Sequence, residues 1–183
     1  MTDNADHRFI EHLQALRERG DRGALASLRR ALGKEPGAAP EAYPIVMPYV
    51  PEHTSERVER IYFLVGSLFA LHPKSWIRVE GESSARDFGA SMRILAERRP
   101  GGGVERRFGA LLACGESELA EHMRHAVALL KSEEVPIYWL NLLSDLRQWN
   151  YERRPVQRRW ARSFWAGSMT GNEGAGATGN NEE

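Results

Sequence analysis

The sequence predicts an all-α protein, a helical bundle of about eight helices, arranged as one bundle or as two small abutting sub-bundles. Three observations predict it. Apolar residues recur at three- and four-residue spacing along nearly the whole chain. Asp, Ser, Thr or Pro stands where several of these stretches begin, and Gly or Pro where they end. A Pro-rich segment separates the pattern into two halves without replacing it by strand-like alternation.

The first helix carries Phe9, Leu13 and Leu16 on one face, and Gly20 ends it. Asp21 caps a second helix that turns Leu25, Leu28 and Leu32 inward and stops at Gly33. Pro36, Pro40, Pro44, Pro48 and Pro51 then forbid a long helix and leave room for one short turn near Tyr43 to Met47. Thr54 or Ser55 opens a long helix running to about Leu71, ahead of Pro73. The stretch KSWIRVEGE reads as a short strand or an extended loop. Ser84, with Asp87 three residues on, reads as a capping box for a helix through Ala96. Pro100 and the glycines at 101–103 break that helix, and another follows from about Val104 to Ala113. Beyond Gly115, a helix carries Leu119, Met123, Ala126, Val127 and Leu130. Pro136 takes the first position of the next, with Trp139, Leu142, Leu143, Leu146 and Trp149 on one stripe. Pro155 starts the last helix, which holds Trp160, Phe164 and Trp165. From Gly167 the chain is Gly, Asn and Glu without an apolar period. Residues 1–166 therefore read as a single all-helical domain, and 167–183 as a disordered Gly/Asn-rich tail.

Apolar residues make up 42% of the 183, enough for a core. The longest strongly apolar run, Ile61 to Leu71, is about half the length of a membrane span. The N-terminus, MTDNADHRF, lacks the basic-then-apolar order of a secretory signal, and Cys114 stands alone. A cytoplasmic protein with no membrane partner is expected. The formal net charge is zero, yet 22 of the 25 basic residues are Arg. A guanidinium fork suits phosphate and carboxylate, although a GC-rich genome gives the same preference. Between Arg147 and Arg162 there are six Arg against one Glu. A local basic block is what an anionic partner feels, whatever the total charge.

Catalytic and metal motifs do not assemble. The triple glycine is followed by Val104 and Glu105 rather than by the Lys and Ser or Thr of a phosphate loop, so it reads as a connector. His122 and His125, with Glu118 and Glu121, share a helix face, but no second such motif exists to complete a di-metal site. Ser67, Ser91 and Ser144 lack a nucleophile-elbow sequence, and Cys114 has no neighbour that would lower its pKa. No catalytic residue, metal or cofactor is expected.

The arginines remain. Arg22 and Arg29 fall on one flank of the second helix, with Arg30 further outward. Arg93 leaves its helix away from Met92 and Leu95. Arg106 and Arg107 sit in a first turn, where the helix dipole prefers anions. Cations there cost slightly unless they serve a ligand, and a phosphate backbone is one that fits. Pairing with Glu105 and similar neighbours is the competing explanation.

FIEHLQALRERGDRGALASLRRAL, then FGASMRIL, then VERRFGALLACGESELAEHMRHAVALLKSEEVPIYWLNLLSDLRQW resemble the CasB family. CasB is the small subunit of the type I-E CRISPR surveillance complex, Cascade. The resemblance runs in order from Phe9 to about Trp165. It implies an all-helical, non-catalytic protein that binds nucleic acid without reading base sequence. Its implied partners are guide RNA, single-stranded or R-loop DNA, the backbone and large subunits of Cascade, and a second copy of itself. Its implied task is to hold the displaced strand while guide RNA pairs with the target. By motif, Arg29 and Arg30 match the family's first Arg pair, Arg93 the Arg of its Gly-led helix, and Arg106 and Arg107 its second pair. Arg124 matches an Arg of the following helix, and Trp139 and Trp149 match buried aromatics. Arg153 and Arg154 belong to a basic C-terminal block that matches only loosely. With Arg22 from the helix geometry, these are the expected nucleic-acid-binding residues. Two other readings stand beside this one: a structural bridge whose Arg surface pairs with acidic proteins, and a helical enzyme using the His122–His125 region.

Overall fold

The computed structural model describes residues 2–35, 38–76 and 87–166, without the side chains of residues 2 and 3. Among them are nine α-helices: α1 (Thr2–Glu18), α2 (Arg22–Ala31), α3 (Tyr43–Val46), α4 (Glu56–Leu71), α5 (Phe88–Arg98), α6 (Gly103–Ala113), α7 (Glu116–Ser132), α8 (Trp139–Arg147) and α9 (Pro155–Trp165). Two 3-10 turns, Pro40–Ala42 and Met47–Tyr49, flank α3 where the prolines remove backbone donors. The protein is all-α, as the periodicity predicts. The tail expected over 167–183 lies outside the described residues.

Helix α4 is the spine. Its residues 61–63 and 65–70 are all buried, so it is enclosed on every side rather than on one stripe. Helices α2 and α3 pack on it from the N-terminal half, and α7 and α8 from the C-terminal half. Helices α5 and α9 form the second close pair, joined to α6 and α7. The buried apolar side chains make one cluster that reaches from Phe9 to Phe164. Each large side chain so enclosed contributes about 1.5–3 kcal/mol over an exposed one.

Polar side chains tie the two halves through this core. The buried Asp6 of α1 accepts from both the Tyr62 hydroxyl of α4 and the Arg147 guanidinium of α8, the latter at 2.6 and 2.8 Å. Arg57 of α4 donates to the Arg147 and Leu146 carbonyls at 2.8 and 3.2 Å, satisfying the open end of α8. Its Nε lies 2.8 Å from Glu116 of α7.

Two expected helix starts are corrected. Asp87 is itself the N-cap of α5: its Oδ1 accepts from the Ala90 amide at 3.0 Å. The helix therefore begins at Phe88 and runs to Arg98, and Ser84 lies outside the described residues. Pro136 does not open α8, which starts three residues later at Trp139. Instead, Ile137 pairs with the segment after α4: its amide donates to the Lys74 carbonyl at 3.1 Å, and its carbonyl accepts from Trp76 at 3.2 Å. This parallel bridge between Ser75 and Ile137 is the described part of the expected strand or loop. The rest of KSWIRVEGE lies outside the described residues. Trp149 follows the end of α8 rather than riding on it, yet is buried against Trp160 at 5.2 Å. Between α5 and α6, Gly101 and Gly102 hold φ of 120° and 73°, which explains why this connector is glycine.

Candidate nucleic-acid interface

The arginines divide by what they touch. Arg17, Arg57, Arg60, Arg99, Arg147 and Arg159 are paired with carboxylates and belong to the fold's own charge network. Of the nine expected binding residues, only Arg30 has such a partner among the described residues, Glu41 at 3.6 Å. For Arg30 that contact fits the competing explanation, pairing with a nearby carboxylate. Arg22 is exposed and its side chain makes no hydrogen bond or ion pair among the described residues, and the Arg29 side chain bonds the Leu25 carbonyl of its own helix at 3.2 Å.

Arg106 and Arg107 stand exposed in the first turn of α6, placed outward because Val104, Phe108 and Leu111 take the inner face. The Arg106 side chain makes no hydrogen bond or ion pair among the described residues, and Arg107 reaches back to the Gly103 carbonyl at 3.2 Å. Glu105, the neighbour that would neutralise them, forms no ion pair with either. Arg93 differs from expectation. It is half-buried, and its Nε is enclosed without an acceptor, because α5 is covered by α6, α7 and α9 at once.

At the far end of α6 the arrangement changes again. Arg154, in the left-handed region at φ 48°, turns its guanidinium onto the Leu112 and Cys114 carbonyls at 2.7 and 3.3 Å. It thus closes the C-terminus of α6, while Arg153 beside it is exposed and uncommitted. Arg106 and the Arg154 guanidinium thus stand at opposite ends of α6. Cys114 is buried there. Burial, helped by Glu118, pushes its thiol up, and Arg154 opposes this less strongly. A thiol so placed is a packing group rather than a nucleophile.

Arg124 faces a groove of about 610 Å³ between the end of α2, α4 and the start of α7. Lys34, Arg57 and Arg60 share its wall with Glu35, Glu116 and Glu121. Among the described residues, the Arg124 side chain has one hydrogen-bond partner, His125 at 3.4 Å. The structure therefore joins Arg124 to the α2 end, a neighbourhood the sequence reading missed. Arg57 and Arg60 were hidden because they alternate with Glu56 and Glu59, which read as a solvated helix face. The four-residue spacing of Arg60 from Glu56 was the available signal. No contact brings the arginines of α2 together with those of α6. Among the described residues, no group of three or more His, Cys, Asp and Glu is gathered as for a metal ion, and no helix is long and apolar enough to cross a membrane.

Comparison with known proteins then decides the family. Residues 24–165 match the family model described as CRISPR-associated protein Cse2. A CRISPR-associated protein Cse2 from Thermus thermophilus is 35% identical over 169 residues, covering 91% of this chain and 93% of the relative. The chain belongs to the Cse2 family. The resemblance seen in the sequence to CasB points to the same relatives. The crystal structure of M. ruber CasB aligns with a TM-score of 0.75 at 31% identity, over 91% of this chain and 95% of that one. A chain of a CRISPR RNA-guided surveillance complex aligns at 0.76 over 93% and 99%; at 22% identity this is a likeness of fold. The Cse2 match starts at Ala24 and ends at Trp165, so it takes in Arg29, Arg30, Arg93, Arg106, Arg107, Arg124, Arg153 and Arg154, and leaves Arg22 outside.

Proposed function

We propose that this Cse2-family chain is the small, non-catalytic subunit of a type I-E CRISPR surveillance complex, and that it binds nucleic acid without reading base sequence. Membership of the family and the likeness of fold to a chain of an RNA-guided surveillance complex support the assembly part of the reading. One observation carries the binding part. Eight of the nine expected arginines have no carboxylate partner among the described residues, and Arg22, Arg106 and Arg153 are exposed with no side-chain hydrogen bond there, in a chain that engages many of its other arginines in ion pairs. Uncommitted guanidinium groups suit phosphate oxygens, which fix position but carry no sequence information. Guide pairing would then supply specificity, while these contacts retain guide RNA and the displaced DNA strand. Single-protein effectors divide the labour in the same way. Other subunits of the complex and a second copy of the chain are its proposed protein partners, in the cytoplasm.

The test has two arms. Co-expression with the neighbouring subunits should give a complex that co-purifies with guide RNA, and omission of this chain should lower retention of the opened DNA. The isolated protein should bind single strands with an affinity that falls steeply as salt rises. Assembly without any nucleic-acid binding would favour the bridging role instead, with the arginines facing acidic proteins.

A further inference from the structure

Tyr151 is the most exposed large hydrophobic side chain among the described residues, at 59%, and its ring has no aromatic partner there. Its backbone, by contrast, is fixed on both sides. The Tyr151 amide donates to Gln148 at 3.1 Å, and its carbonyl accepts from the Arg154 amide at 2.8 Å. Two residues before it, the Trp149 carbonyl accepts from the buried Gln157 at 2.8 Å, and the Trp149 ring is wedged against Trp160. Asn150 donates to the Glu116 carboxylate, which also meets Arg57. Arg154 anchors the other side of the loop to the end of α6. The fold thus holds still, from every side, a short loop whose tip is an unsupported phenol ring.

The chain on either side of that ring carries one sign of charge in excess, although the Glu116 carboxylate lies on Asn150 next to it. Arg153 is exposed and uncommitted, and so are Arg158 and Arg162 along the first two turns and the last turn of α9. Glu152 is the single Glu in the stretch from Arg147 to Arg162. A rigid aromatic beside free cations matches what a single-stranded nucleic acid offers, a base face with flanking phosphates. Because the loop is already ordered, stacking on it costs little conformational entropy. A neutral or basic protein surface would leave the arginines unanswered.

We propose that Tyr151 is a stacking platform for an unpaired nucleobase, with Arg153 and Arg158 engaging the adjacent phosphates. The proposal rests on the nucleic-acid reading above and adds a contact of a different kind, one with the base rather than the backbone. The experiment titrates the full chain with an oligothymidylate and with an abasic strand of the same length, at several salt concentrations. Tyr151→Ala should weaken oligothymidylate binding by about 5- to 150-fold, the range expected when one base no longer stacks, and leave the salt slope unchanged. Tyr151→Phe should bind as the parent does. The abasic strand should bind the parent and Tyr151→Ala equally. Equal oligothymidylate binding by the parent and Tyr151→Ala overturns the proposal while leaving the wider reading intact. So does an equal loss on both strands. A parent that binds neither strand overturns the wider reading and this proposal with it. A Tyr151→Ala variant that binds both strands normally but fails to join the other subunits assigns the ring to a protein contact instead. Because the side chain is exposed, an unchanged thermal midpoint is expected throughout.

Discussion

Gly89 lies so close to Trp160 that a Cβ built on it would sit 2.1 Å from the Trp160 carbonyl oxygen. No side chain fits there, because the obstacle is backbone and cannot swing aside. This close approach is what allows α5 and α9 to pack face to face, with Phe88 against the Trp160 ring at 4.9 Å. It also gives a physical reason for the glycine of the FGASMRIL motif.

Gly89→Ala should therefore destabilise the protein by at least the 1–3 kcal/mol typical of overpacking, about 2–4 °C of thermal midpoint for each kcal/mol in a chain of this size. Gly109 supplies the control. It sits mid-α6 with nothing within 4 Å of a built Cβ, so Gly109→Ala should hold or raise the midpoint, by up to about 1 kcal/mol. Thermal melts of the two variants side by side check this, and an undisturbed Gly89→Ala would refute the packing.

Asp145 makes stability depend on pH. Its Oδ2 accepts from the Trp160 indole at 2.6 Å, and its other oxygen meets Arg159. Burial nevertheless pushes its carboxyl up to about 6, against those two contacts, and the charge of Asp87 adds to the rise. The unfolded value is 3.8, so the native state takes up the proton first. The contribution of Asp145 to stability should grow as pH falls through 6 and level off near 4, where the unfolded chain is protonated too. The gain is on the order of 2–3 kcal/mol. Asp145→Asn should remove that part of the dependence. Melts from pH 8 to pH 4 test it, and a constant gap between the parent and the Asn variant would contradict the assignment.

Arg147 belongs to the fold and not to any surface. Removing it leaves Asp6, 4% exposed, as a buried charge with only Tyr62 for company. Arg147→Ala should cost about 3–5 kcal/mol, as breaking one side of a buried pair does. Denaturant unfolding measures this; a cost within a few tenths of a kcal/mol would mean that Asp6 finds solvent.

Arg106 and Arg107 should behave in the opposite way. Neither supports the core, so replacing both by Ala should leave the melt unchanged. If each meets a phosphate on a single strand, the slope of log affinity against log salt should fall by roughly 0.7 per contact. Sequence preference should not move, because a phosphate is the same beside every base. Titrations at four or more salt concentrations decide this, and identical slopes would assign the two arginines to a protein partner.

Periodicity was enough to place most of the helices, because a helix must bury one face and the spacing of Leu28, Met123 or Leu143 declares which. Local chemistry was enough for the cap at Asp21, for a helix start at Thr54 or Ser55, of which the structure selects Ser55, and for the break at Gly101–Gly102, since each acts on amides or dihedrals within a few residues. The family could be read from the order of the Arg pairs and the Trp-bearing stretch, which is a property of the string itself. Pro136 shows where that legibility stops. Its place ahead of an apolar stripe predicts a helix start, but the Lys74 and Trp76 backbone about 60 residues away claims Ile137 and keeps the segment extended. The roles of individual arginines were equally out of reach. Arg147, Arg153 and Arg154 look alike within one basic block. Yet Arg147 neutralises Asp6, Arg154 closes the end of α6 and Arg153 remains uncommitted. An arginine is free only if nothing across the fold answers it, and Asp6 is 141 residues from its Arg147 partner. The sequence by itself thus determined the helices, their inner faces and the family. Which charges serve folding and which are left unpaired was decided by tertiary packing, because ion pairing depends on distances in space that local periodicity does not encode.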